Sequence, residues 1–339
     1  MSLAACALTP NAPNDVLVHL IDSLSPGQAP DPDLRRFYDV VELTEGMYNA
    51  TLRATVDGQS WVIQRLHVDY PPDRIEDFAS ISNALGQKGL VTPQYRLFNG
   101  LPWLRRHGHY YRCYPFIEGQ SGCPAPSAAT AGELGRFLRV YHRAARDLHP
   151  SLWPRSVIPH FHDFDHYMVR LAELTYAAPS TQWEHLASQA LDAHDVYRVW
   201  PTAEKQLIHG DPRVNNIVFR DDLPYALVDF DTFMPAHPGT DLGDMLRSLC
   251  CPAGPDNPVA QHDAVLACAQ GYDAQYPDAA LWAMARISWE LTARFLIDAV
   301  EDRYFGWDAA RYTSRVASDM ACATAQAQVA RWAQEWRVS

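Results

Sequence analysis

Two hydrophobic periods divide this chain, and the place where one gives way to the other constrains its fold more than any single motif. Before residue 114 the apolar residues come in short runs broken by turn-forming residues. Tyr48 to Val56 and Ser60 to Leu66 flank Asp57-Gly58-Gln59, and Gln94 to Phe98 and Leu101 to Arg106 flank Asn99-Gly100. Glycine and asparagine tolerate the positive φ that tight hairpins require, so both pairs are expected as antiparallel strands. Tyr110 to Tyr114 adds a fifth strand that stops at Pro115, and Pro72 opens a helix to Leu85 with proline inside its first turn. The first 36 residues scatter Pro and Asp around one short helical run, Asp15 to Leu24.

After Gly119 the period lengthens. Gln120 to Ser127 reads as a Gly/Pro/Ser linker. Helices are then expected over Ala128 to Leu148, Asp163 to Ala177, Gln182 to Val199, Asp241 to Cys250, Pro258 to Tyr276, Ala279 to Arg303 and Ala309 to Trp336. Leu134, Phe137, Leu138 and Tyr141 show the spacing of one buried helical face. The expected class is α+β and bilobal: a small antiparallel-sheet N-lobe over 1–114, a hinge and linker over 115–127, and a larger, mainly helical C-lobe over 128–339.

The chemistry concentrates in His209-Gly210-Asp211-Pro212-Arg213-Val214-Asn215-Asn216, followed thirteen residues after Asn216 by Asp229-Phe230-Asp231. Asp211 can accept the proton of an attacking hydroxyl, while Asn216 and Asp229 can hold magnesium against nucleotide phosphates. Ile217 to Arg220 and Tyr225 to Val228 read as strands around Asp221-Asp222-Leu223-Pro224, a hairpin that would return Asp229 to the side of Asn216. Asp231 can reach a second ion or equally cap a turn, and His209 can orient the loop through hydrogen bonds. The plainer reading of Asp211 and Asp229 is that they cap local turns. The full order of lead-in, loop, hairpin and acid favours a kinase of small molecules.

This loop resembles the Brenner-type motif of the aminoglycoside phosphotransferase and choline kinase superfamily, which has a protein-kinase-like fold. Within it the chain looks most like the N-acetylhexosamine 1-kinase group. The likeness extends through Leu43 to Thr51, Trp61 to Leu66, Tyr114-Pro115-Phe116-Ile117-Glu118-Gly119, Ile158 to Asp163, Val228 to Pro235, Asp241-Leu242-Gly243-Asp244 and Glu290 to Asp298. The resemblance implies that Arg65 stands where the family usually has a strand lysine on the nucleotide phosphates, with Glu76 as its partner and Ile63 near the adenine. It implies a phosphate-covering loop at Glu45 to Asn49, with Asn49 in contact, and a hinge whose Pro115 carbonyl and Ile117 N–H meet the base. Arg213 takes the place of a lysine that stabilises the transferring phosphoryl, and Asp241 that of the acid bracing the catalytic loop. Arg294 and Tyr304 would face the acceptor, with Asp244, Arg247 and His162 as further candidates. ATP and Mg²⁺ are the implied cofactors, and the implied partner is a small-molecule hydroxyl. The chain departs from the sugar kinases after Glu118-Gly119, where Gln120-Ser121-Gly122-Cys123-Pro124 replaces their aromatic-Asp pair.

Composition removes other classes. A formal charge of −12, with Lys88 and Lys205 the only lysines, argues against a nucleic-acid surface, which needs clustered cations. Seven cysteines show no metal-type spacing and make a poor disulfide framework. No apolar run reaches membrane-spanning length, and Leu3-Ala4-Ala5-Cys6 lacks the basic and apolar segments that precede a true lipoprotein box, so a cytoplasmic protein is expected. Three functions remain: a sugar or amino-sugar kinase, a kinase of an antibiotic or other small alcohol, and a nucleotide-binding scaffold without turnover. The sequence leaves the acceptor and the oligomeric state open.

Overall fold

This computed structural model describes residues 41–338, apart from 44–49, 57, 67–69, 107, 124–125, 156–157, 274 and 276. The expected helical run from Asp15 to Leu24 and the loop Glu45 to Asn49 lie outside the described residues. The described chain forms two compact units. One runs to Glu118 and takes in Pro154 and Arg155; the other holds Gly119–Trp153 and the described residues from Ile158 onward. The division thus falls inside the stretch expected as a hinge and linker.

The first unit is built on an antiparallel sheet of β1 (Val41–Leu43), β2 (Ala50–Val56), β3 (Gln59–Arg65), β4 (Leu104–Arg106) and β5 (His109–Pro115), in the order β1-β2-β3-β5-β4. Adjacent strand residues point to opposite faces, so burial of both Val62 and Ile63 means that β3 is covered on both sides. Helix α1 (Pro72–Gln87) starts with proline at its first position and buries Ile75, Phe78, Ile81 and Leu85, one stripe at helical spacing.

One expected hairpin is corrected. Asn99 and Gly100 do adopt positive φ, +51° and +86°, but only the bridge between Phe98 and Leu101 closes around them. Gln94 to Phe98 is no strand, although Arg96 still gives its N–H to the Cys113 carbonyl at 2.8 Å. Pro93 and Pro102 flank the turn without an N–H to offer, so the ladder cannot propagate. The fifth strand of the sheet is instead β1.

In the second unit, helix α7 (Pro277–Glu301) is buried at nearly every position from Ala280 to Leu296 and packs against helices on all sides. Around it lie α3 (Phe164–Glu173), α4 (Thr181–Tyr197), α5 (Gly239–Leu249) and α8 (Arg315–Val338). A second pair, α2 (Ala128–Arg146) and α6 (His262–Tyr272), packs backbone to backbone. A Cβ on Gly135 would stand 1.9 Å from the Cys268 carbonyl oxygen, and one on Gly271 would stand 2.1 Å from that of Gly132. Helix ends follow their caps. Asp163 and Ser180 cap α3 and α4, and Ser314 accepts the Ala317 N–H, so α8 starts at Arg315 and not at Ala309. Helix α6 starts at His262 and not at Pro258, because the Val259 N–H is committed to the Cys250 carbonyl. Among the described residues no helix is long and apolar enough to cross a membrane.

Two small sheets complete this unit. β7 (Gln206–Ile208) pairs antiparallel with β10 (Met234–Ala236). β6 (Gln120–Ser121), β8 (Ile217–Arg220) and β9 (Leu223–Leu227) form the other in that order, so part of the expected linker is a strand. Asp221 and Asp222 both have positive φ and turn the chain in two residues, which lets β9 begin at Leu223, ahead of the expected Tyr225. Pro224 is accommodated by a register shift at Val218/Phe219.

Candidate active site

The chain from His209 to Phe233 leaves and re-enters on one rung, since Ile208 pairs with Met234. Everything between is held as a closed excursion. Gly210 has φ +87°, and a Cβ there would stand 2.4 Å from the Thr232 carbonyl oxygen, so only glycine fits. Asp241, on α5, accepts the N–H groups of His209 and Gly210, each at 2.8 Å. It also lies 2.9 Å from His142 Nε2, whose Nδ1 meets the Tyr272 hydroxyl at 2.7 Å. Burial raises the Asp241 pKa, but the His142 bond and charge, with His209, outweigh it and hold the carboxyl below its usual range.

His209 is fixed by complementary partners. Its Nε2 faces the Val228 carbonyl at 3.0 Å, while Nδ1 accepts the Asp211 N–H at 3.3 Å. Those partners select the neutral Nε2–H tautomer, and burial depresses the pKa in the same direction. The ring is wedged edge-on against Phe230 and Phe233, both fully buried. His209 therefore orients the loop and is not placed for proton transfer.

Asn216 Nδ2 donates to the Asp211 carbonyl at 2.8 Å and to Asp211 Oδ2 at 3.2 Å. These bonds use the amide nitrogen and leave Oδ1 outside them. On the other carboxylate oxygen, Arg213 Nε lies 2.8 Å from Asp211 Oδ1, so the arginine is ion-paired with the acid beside it. Both side chains retain solvent access, 42% for Arg213 and 22% for Asp211. The β8–β9 hairpin brings Val228 N–H to the Asn216 carbonyl at 2.9 Å, which sets Asp229 next along the chain. Asp229 is left-handed, φ +65° and ψ +63°, a conformation that non-glycine residues hold only when their surroundings fix it. Asp231 follows in a single 3₁₀ turn, Phe230–Thr232.

Asn216 Oδ1 and the carboxylates of Asp229 and Asp231 are hard oxygen donors, the chemistry magnesium prefers. Among the described residues no cluster of three or more His, Cys, Asp or Glu forms an all-protein cage. A few side-chain oxygens fit a cation that completes its shell with phosphate and water.

A buried charge cluster stands beside the loop. Asp244 and Arg247 pair on α5, at 3% and 9% side-chain exposure. Burial, and then Asp211, push the Asp244 carboxyl up against the opposing pull of Arg247. His162 Nδ1 lies 3.0 Å from Glu290 Oε1 on α7, and Nε2 lies 2.6 Å from the Gly210 carbonyl. Arg286 and Arg294 flank Glu290 at 3.6 and 4.0 Å. Arg294 is surrounded by the rings of Tyr304, Phe161, Tyr167 and Phe305 at 5.0–5.6 Å. Tyr304 is set in place from below, because the Asp298 carboxylate accepts the N–H groups of Arg303, Tyr304 and Phe305.

The first unit arranges its candidates differently. Arg65 ends β3, in register with Ala50 and Tyr111. Glu76 does not pair with it: the Trp103 indole N–H and Arg155 take the carboxylate, each at 3.3 Å. Arg155, also 2.8 Å from Asp77, outcompetes the expected strand cation through a partner that no local pattern announces. Ile63, expected near the base, is 2% exposed and already covered by protein. Pro115 pairs with Trp61 at the end of β5, and the neighbouring Phe116 N–H bonds the Ser60 carbonyl at 2.8 Å. Ile117 follows two residues after Pro115, and Asn49 lies outside the described residues.

Sequence reasoning missed His142, Tyr272, Glu290 and Arg286 as parts of this site. The contacts of His142 with Tyr272 and Asp241, and of Glu290 with His162, cross long stretches of chain that no spacing records, whereas Arg286 and Glu290 stand at the i,i+4 spacing of one helix.

A family model described as the phosphotransferase enzyme family matches residues 39–282. Among solved structures, an aminoglycoside phosphotransferase from Alicyclobacillus acidocaldarius is similar over 93% of this chain and 96% of its own, at TM-score 0.59 and 15% identity. A macrolide 2′-phosphotransferase from Brachybacterium faecium matches over 91% and 96%, at TM-score 0.57 and 17% identity. An amicoumacin kinase in complex with AMP-PNP, Ca²⁺ and Ami matches over 91% and 89%, at TM-score 0.61 and 14% identity. At these identities the structures establish a shared fold.

Proposed function

Because the chain belongs to the phosphotransferase enzyme family and is thereby a small-molecule kinase, we propose that it transfers the γ-phosphoryl group of ATP to a hydroxyl of a sugar or amino sugar. The observation that carries this reading is Asp211. Its carboxylate is solvent-accessible, steered by Asn216 and Arg213, and mounted on a backbone that Asp241 and His209 hold from behind. In the reaction the acceptor O–H gives its proton to Asp211 as the oxygen bonds to the γ-phosphorus. The bond from that phosphorus to the β-bridging oxygen breaks, and ADP leaves with the electron pair. Arg213, ion-paired with Asp211, would stabilise the charge on the transferring phosphoryl. Asn216 and Asp229, with Asp231, would hold Mg²⁺, which neutralises phosphate charge when bound. Arg65, the Pro115 carbonyl and the Ile117 N–H are the nucleotide contacts proposed in the first unit. Arg294, Tyr304 and Asp244 are those proposed for the acceptor.

A second reading, phosphorylation of an antibiotic, draws support from solved relatives that are described as aminoglycoside, macrolide and amicoumacin phosphotransferases or kinases. A scaffold without turnover has no use for Asp211, Asn216 and Asp229 together. An ATP-consumption screen over N-acetylhexosamines, hexoses, aminoglycosides, macrolides and small alcohols separates the acceptors. Asp211→Asn then tests the chemistry: turnover should fall by about 10²- to 10⁴-fold while ATP affinity and melting temperature stay near wild type. Unchanged turnover in the folded variant would overturn the mechanism.

A further inference from the structure

His162 precedes α3 with a left-handed backbone, φ +58°, and its ring is buried at 5% side-chain exposure. Both ring nitrogens face acceptors: a carboxylate oxygen of Glu290 at 3.0 Å and the Gly210 carbonyl at 2.6 Å. A neutral imidazole has one N–H and would set a lone pair against one of those oxygens; an imidazolium satisfies both. We propose that His162 is held as an imidazolium and serves as a positioning residue for phosphoryl transfer, fixing the Gly210 carbonyl and thereby Asp211. The proposal rests on the reading of Asp211 as the base.

The peptide that joins Gly210 to Asp211 is gripped at both polar atoms: His162 takes the Gly210 carbonyl at 2.6 Å and His209 Nδ1 accepts the Asp211 N–H at 3.3 Å. Asp241 fixes the preceding peptide through the Gly210 N–H at 2.8 Å, so the plane that leads into Asp211 is held on both sides. The charged groups on the elements around His162 are Glu290, Arg286 and Arg294 on α7, Asp244 and Arg247 on α5, Asp211 on the loop and Asp163 on its own segment. Burial works against the charged ring. The charge and hydrogen bond of Glu290, then Asp244, outweigh burial and the opposing Arg294, so the pKa lies above that of an ordinary histidine. A raised folded pKa means that the clasp is complete below the pKa of an ordinary histidine and is lost as pH rises through the raised one. The rate should then fall on the alkaline side, because small displacements of a reacting group cost large factors in rate.

Imidazole ¹⁵N spectra of the full chain, assigned by comparison with His162→Asn, report the ring directly and without a substrate. Asparagine is chosen because it tolerates left-handed backbone. The expected result is two ring N–H signals for His162 at pH 7, one of which disappears at a higher pH. The same preparation is assayed for ADP release from Mg-ATP with water as acceptor. The alkaline fall in turnover should coincide with loss of that signal. In Glu290→Gln both should move to lower pH by about one unit or more, on the scale of losing a neighbouring opposite charge. His162→Asn should lower turnover about 10- to 100-fold with little change in the KM for ATP. A single N–H at pH 7, or an alkaline limb that Glu290→Gln leaves in place, overturns the proposal. ADP release that is equal in wild type and Asp211→Asn overturns the reading of Asp211 and the positioning role with it. The ring signals would still report whether the clasp exists, which tells the two failures apart.

Discussion

The loop from His209 to Asp231 and the strand-helix surface around Arg65 and Glu76 carry comparable numbers of candidate residues, yet they are held in opposite ways. In the loop, polar atoms are met by partners within the fold, and Asp241, His209 and Asn216 are themselves buried: Asp241 on two N–H groups, His209 between Val228 and Asp211, Asn216 on Asp211. In the first unit, Glu76 is bound at the surface by Arg155, with side-chain exposures of 37% and 54%. Buried polar groups without a partner are costly, whereas exposed ion pairs exchange readily with water. The loop is therefore fixed by its own packing, and the first-unit surface is open to rearrangement by whatever binds it.

The contrast is broken most directly at Asp241. Asp241→Ala should orphan two buried N–H groups and the His142 ring, and cost about 3–5 kcal/mol in a urea melt. The wild type should also lose stability as pH drops through the lowered Asp241 pKa. The folded state holds that carboxyl ionised below the point where an unfolded Asp takes up its proton, so its contribution is present above the unfolded pKa. The Ala variant should lack this acid limb. Gly210→Ala comes next, at about 2–3 kcal/mol, because its Cβ meets the Thr232 carbonyl and its φ is positive. Arg155→Ala should have the smallest effect of the three, since Glu76 lies in water and Asp77, though 12% exposed, keeps the backbone N–H of position 155 on its other oxygen. An Arg155 variant less stable than the Gly210 variant would invert the comparison.

How legible each region was in the sequence follows from the same physics. Residues whose placement depends on local backbone were readable: the turn at Asn99-Gly100, the hairpin that sets Asp229 beside Asn216, and the glycine before Asp211. Gln94 to Phe98 failed as a strand because Pro93 and Pro102, on either side of the segment and its turn, offer no N–H to carry the ladder on. Nothing local places Arg294 and Asp298 inside the protein; burial of α7 at nearly every position from Ala280 to Leu296, and of Asp298, does. Partners far apart in the chain left no trace. Nothing in the residues near Glu76 points to Arg155, and nothing near His209 points to His142 or Tyr272.

The glycine contact between α2 and α6 bears on how variants of this protein should be interpreted. Gly271 stands against the Gly132 backbone and is followed directly by Tyr272, whose hydroxyl begins the relay through His142 and Asp241 to the loop that carries Asp211. Any side chain at position 271 must push the two helices apart and carry that hydroxyl with them. A substitution there would register in a screen as a loss of activity, although the residue meets neither nucleotide nor acceptor. Sorting functional from scaffold positions by activity alone would misfile it; rate measured per folded molecule, alongside the melting curve, would not.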